Sequence, residues 1–165
     1  MPGYFDRYIN LADNVSIVSA LESSLEEVRK LNLELLHKIG NKVYAPGKWT
    51  VKDILQHVVD TEMVFCYRTL RFARKDSAAA GSFDENAFAS NAAADRRPLE
   101  EIINELMVTR QGTIILFKSF TDQMLLNKGI CWKYEMSSLA MGFTLAGHQK
   151  HHFNFMELNY YPLAR

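Results

Sequence analysis

From about Asp13, the apolar residues Ile17, Leu21, Leu25, Val28, Leu35 and Ile39 recur at helical spacing, opposite a face bearing Glu22, Glu26, Lys30 and Glu34. The pattern predicts a first long helix, stopped by Gly40-Asn41. Tyr44-Ala45-Pro46-Gly47-Lys48 reads as a turn, after which Thr50 suits an N-cap, with the Asp53 carboxylate three residues on. A second helix is predicted from Val51 to about Arg74, its apolar arc made by Val51, Ile54, Leu55, Val58, Phe65, Cys66 and Phe72. Pro98 opens a third, with the inward stripe Leu99, Ile103, Leu106, Arg110, Ile114 and Phe117. Ser137 or Ser138 opens a fourth, which runs to about Asn159 and ends before Tyr160-Tyr161-Pro162. With no convincing strand pattern, the expected fold is all-α, a four-helix bundle with long crossover connections.

The segments between these stripes carry less periodicity. Residues 1–11, with Tyr4, Phe5 and Tyr8, read as an arm packed on the body. Lys75 to Arg97, rich in Ala, Ser and Asn and holding Phe83 and Phe88, reads as a lid or rim, since so long a loop in a compact domain usually has a function. Thr121 to Glu135 reads as a crossover.

At 165 residues, the chain is expected to form a single domain spanning 1–165. Nineteen basic residues balance nineteen acidic ones, which argues against nucleic acid or an anionic membrane as partner and favours a small molecule or a protein. Two cysteines make no disulfide framework, and the N-terminus lacks the features of a signal peptide, so a cytoplasmic location is expected. No apolar run is long enough to span a membrane.

The pattern changes character at Gly147-His148-Gln149-Lys150-His151-His152-Phe153. On a helix, His148 and His152 project from one face about a turn apart, on the arc that also holds Met141, Leu145, Phe155 and Met156. The pair therefore points inward, with His151 to one side. Two inward histidines are compatible with a shared metal or with core packing, and a third ligand is needed to choose. On the second helix, His57 lies at the edge of the apolar arc beside Thr61, Val64 and Arg68, where a pocket can open. Three neutral imidazoles would leave positions open on a zinc-like ion, as catalytic sites do. A zincin protease needs a glutamate after its first histidine, and Gln149 cannot take a proton, so peptidase chemistry is not expected.

The run Trp49-Thr50-Val51-Lys52-Asp53-Ile54-Leu55-Gln56-His57-Val58-Val59-Asp60-Thr61-Glu62, continued through Tyr67-Arg68, resembles the first signature of the DinB-like (YfiT-like) superfamily of metal-binding four-helix bundles. Gly147 to His152 resembles its second. The resemblance covers nearly the whole chain and implies metal ligands at His57, His148 and His152. It also implies a divalent metal ion, with zinc or nickel foremost, and a homodimer. Its implied chemistry is activation of a low-molecular-weight thiol for S-transfer or isomerisation, or of water for hydrolysis, since a divalent ion lowers the pKa of either.

Three further residues are candidate helpers. Asp60, with Glu62, is placed to orient a ligand imidazole or to pair with Arg110. Arg110 interrupts a core-facing stripe and must be paired or open to a water-filled cavity. Arg68 shares a face with His57 and is placed to hold an anionic substrate group or a surface ion-pair partner. Trp49 and Trp132 are able to line a pocket but are expected to be buried by packing, and Cys66 to be a small core residue. The alternative to an enzyme is a non-catalytic metal-binding or stress-response bundle that dimerises through Phe5, Tyr8, Phe83 and Phe88.

Overall fold

Ser16, Asn32, Thr50, Asp84, Thr121 and Ser137 each accept, through a side-chain oxygen, a backbone N–H of the turn that follows, and each starts a helix. Thr50 and Asp53 do so reciprocally as a capping box. The computed structural model describes residues 3–76 and 81–165. In chain order its helices are α1 (Asp6–Ile9), α2 (Ile17–Arg29), α3 (Leu33–Ile39), α4 (Val51–Ala73), α5 (Glu85–Asn91), α6 (Leu99–Lys118), α7 (Asp122–Leu126) and α8 (Ser138–Asn159), with a hairpin of β1 (Lys128–Cys131) and β2 (Tyr134–Ser137) before the last.

The long helices α2, α4, α6 and α8 form a four-helix bundle in which α2 and α4 each pack against both α6 and α8. Chain-successive α2 and α4 thus face each other across the diagonal, and so do α6 and α8. Both diagonal steps use long crossovers, the first through α3 and the second through α7 and the hairpin.

Two predicted elements differ in detail. The expected first helix is two helices, because Asn32 caps a new one: its side chain takes the Leu35 N–H and competes with continuation of α2. The Thr121 to Glu135 crossover contains an antiparallel hairpin whose two-residue loop is Trp132-Lys133, with Trp132 at φ +58°. Hairpin loops ordinarily signal themselves with Gly or Asn at such a position, and this one does not. The Lys75 to Arg97 segment contains α5, while 77–80 lie outside the described residues.

Apolar side chains fill the bundle in two clusters. One holds Leu21, Phe65, Ile114, Phe117 and Leu145; the other holds Val28, Leu55, Leu106, Phe153 and Met156. Along each long helix a buried polar residue falls between the two. Glu62 of α4 accepts hydrogen bonds from Nε and Nη2 of Arg110 on α6 at 2.7 and 2.9 Å, and also from the Thr113 hydroxyl at 2.6 Å. Arg110 reaches the Ser24 hydroxyl of α2, and the Ser24 carbonyl accepts Gln149 Nε2 of α8 at 2.7 Å. One polar layer therefore joins all four helices, and His148 adjoins it in sequence. Among the described residues, no helix is long and apolar enough to cross a membrane.

Candidate metal centre

The site is built where α4 and α8 meet. His57 is held by the well-packed start of α4, where Ile54, Leu55 and Val58 are buried. Its ring lies 4.9 Å from that of Trp49, whose carbonyl accepts the Tyr160 hydroxyl from the end of α8. On α8, Gly147 allows α1 to lie directly on the helix: a Cβ there would stand 1.8 Å from the Tyr8 carbonyl oxygen. That close approach sets the Tyr8 ring edge-on to His148 and His151, at 5.3 and 5.4 Å.

The three imidazoles converge through Nε2. His57 Nε2 stands 3.2 Å from His148 Nε2, which stands 3.1 Å from His152 Nε2. Two nitrogens bound tetrahedrally to zinc at about 2.0–2.1 Å would be about 3.3 Å apart, so the donor set fits a single small cation. Thr61 Oγ1 lies 3.4 Å from the other ring nitrogen of His57, a partner able to keep that ring's Nε2 lone pair directed at the cluster. Among the described residues no carboxylate bonds to any of the three rings.

Electrostatics favour the same state. Burial lowers the pKa of His57 to about 4 and that of His152 to about 3, the neighbouring rings adding to the second. His148 is pushed well below the ordinary value, first by burial and then by His152 and His57. All three are thus neutral near pH 7, the form that binds a metal.

Two cavities reach this cluster. One of about 340 Å³ is lined by His148, Thr61, Arg68 and aromatic rings that include Trp132. The other, of about 330 Å³, is lined by His151, His152, Trp49, Tyr44 and Lys48. Asn86 of α5, within the segment expected to form a lid or rim, borders both.

The remaining predicted residues are placed unequally. Arg68 lines the His148 cavity. Asp60 does not meet an imidazole or Arg110; it accepts Gln56 Nε2 at 3.0 Å, and burial raises its pKa. Arg110 is 0% exposed and committed to Glu62 and Ser24, so it is a structural cation and not a cavity wall. Trp132 is 51% exposed at a cavity mouth and Trp49 is half-buried, which corrects the expectation that packing would bury both. Cys66 is partly buried, with Sγ 3.1 Å from the Thr113 hydroxyl. Phe5 and Tyr8 are buried, so they are not part of an exposed dimerisation face, whereas Phe88 is exposed. Thr61 and Tyr8 escaped notice as ring partners. The i to i+4 spacing from His57 could have flagged Thr61; nothing local links Tyr8 to α8.

Among curated proteins, none matches the chain. In fold, it is similar to YfiT from Bacillus subtilis, described as a probable metal-dependent hydrolase with an unusual four-helix bundle topology. The TM-score is 0.70 over 93% of this chain and 84% of that one, at 16% sequence identity. The family model of the DinB superfamily matches residues 20–156, a span that contains all three convergent histidines. The chain belongs to the DinB superfamily.

Proposed function

We propose that the protein is a metal-dependent enzyme in which His57, His148 and His152 hold one divalent cation, zinc or nickel, and in which a low-molecular-weight thiol is activated for transfer to a small electrophile. The observation that carries the metal reading is the convergence of three neutral Nε2 atoms, all within 4.8 Å of one another, with His148 lining one cavity and His152 another. A three-histidine set leaves coordination open, unlike the closed four-ligand sets of structural zinc. A divalent cation there would supply Lewis acidity and lower the pKa of a small nucleophile. Imidazole suits both zinc and nickel.

Transfer between two molecules is favoured by the paired cavities, each large enough for a small ligand and both bordered by Asn86. His148 lines one cavity and His152 the other, so a cation held between them would be reachable from both, while Trp49 and Tyr8 pack against the His57 and His148 rings and hold their orientation. Hydrolysis is the second reading, favoured by the description of the similarly folded YfiT as a probable metal-dependent hydrolase.

The test is to assay metal-loaded protein for two activities: conjugation of a simple thiol such as cysteine to monochlorobimane, and hydrolysis of 4-nitrophenyl acetate. Thiol conjugation that requires metal and disappears in His148→Ala supports transfer. Metal-dependent ester hydrolysis without conjugation supports the second reading instead, and activity indifferent to metal contradicts both.

A further inference from the structure

Arg68 is buried to 4% exposure, yet its guanidinium has no carboxylate partner among the described residues. Nη2 donates to the Gly81 carbonyl at 2.6 Å, Nη1 lies 3.4 Å from Cys131 Sγ, and the rings of Phe65 and Phe83 stand 5.4 and 5.7 Å from Cζ. The contrast with Arg110 is instructive, because that buried guanidinium is neutralised by a bidentate glutamate. A guanidinium cannot shed its proton to escape burial, so an uncompensated one stores a desolvation penalty that an incoming anion would relieve.

The cavity beside Arg68 shows where that anion would enter. It runs to His148 and is walled by Phe5, Tyr8, Phe65 and Trp132. Asp84 and Glu85 also border it, but the Asp84 carboxylate is occupied with the first amides of α5, and neither forms an ion pair with Arg68. A cation at one end, flat apolar walls between and a metal-ligating histidine at the other select for a molecule with both an acidic group and an apolar body.

We infer that Arg68 is the anion-binding residue of this cavity, and that the substrate entering on the His148 side is a small carboxylate with a flat apolar portion. That the bound acid goes on to react rests on the metal-dependent reading above; that the cavity binds it does not.

The experiment compares binding of phenylacetate with its neutral isostere phenylacetamide by calorimetry, using the full chain both metal-loaded and stripped by chelator. In both forms the acid should bind about tenfold or more tightly than the amide, as a buried charge-assisted fork requires. Arg68→Met should remove the preference while leaving amide binding in place, and Arg68→Lys, which keeps the charge and loses the fork, should retain only part of it. Equal binding of acid and amide, or no saturable binding of either, would overturn the inference. So would a preference present only with metal and unchanged in Arg68→Met, since the metal would then be the anion's partner. Should Arg68→Met fail to fold, the acid-over-amide preference in the metal-free wild type decides alone. Loss of metal binding with the preference intact would sink the metal reading and leave this one standing.

Discussion

At the residue scale, the same cause acts on the histidines and on the cysteines with opposite chemical results. Burial penalises the charged form, which leaves imidazoles neutral and ready to coordinate but leaves thiols protonated and inert. The Cys66 thiol is pushed up to about 11, mainly by burial, and that of Cys131 is raised for the same reason. Both should therefore react slowly with iodoacetamide between pH 7 and 8 in the folded chain and at ordinary rates once it is unfolded in urea. Rapid alkylation of Cys66 in native protein would contradict this and make it a candidate nucleophile. His57, His148 and His152 were legible because their types, spacing and resemblance all agreed. Asp60 was misplaced because a helical wheel cannot tell whether a flank residue turns towards the ligand ring or, as here, towards Gln56 one turn back.

At the element scale, the bundle is organised by the polar layer that separates its two apolar clusters. Removing one member of a buried ion pair strands the other, so Glu62→Gln should destabilise the fold by about 3–5 kcal/mol. Replacing both, as in Glu62→Leu with Arg110→Met, should cost much less, and urea denaturation of the three proteins measures the difference. A single variant as stable as wild type would mean that the layer contributes little. Close approach of α1 to α8 gives a second expectation: Gly147→Ala must displace the Tyr8 carbonyl, so it should free the N-terminal arm for limited proteolysis and disturb the ring packing at His148. Unchanged protease resistance would contradict that contact. The four long helices were readable from their apolar stripes, with Thr50, Pro98 and Ser137 marking the starts of three of them; the Ser16 cap of α2 was not singled out. The break at Asn32 and the hairpin at Trp132-Lys133 were not, because an asparagine inside an amphipathic run is ambiguous and the hairpin loop lacks the usual residues.

At the scale of the whole molecule, diagonal crossovers bring the starts of α4 and the centre of α8 together, which no local pattern announces; only the resemblance of two distant motifs did so. A site assembled from two helices should bind metal in the folded state alone and so stabilise it. At a free metal concentration about 100 times Kd the gain is about 2.7 kcal/mol, which raises Tm and is reversed by chelator. A Tm indifferent to both would argue against a folded-state metal site. Oligomeric state, for which a homodimer is the expectation, is read by sedimentation of the same samples.

The most direct measurement is elemental analysis of protein purified without added metal and without nickel resin, for the wild type and for His148→Ala with His152→Ala. The account predicts close to one equivalent of zinc or nickel per chain, lost in the double variant while the helical circular dichroism is kept. No metal in the wild type, and none taken up on titration with zinc, nickel or manganese, would contradict it and leave His57, His148 and His152 as packed residues of a helical bundle.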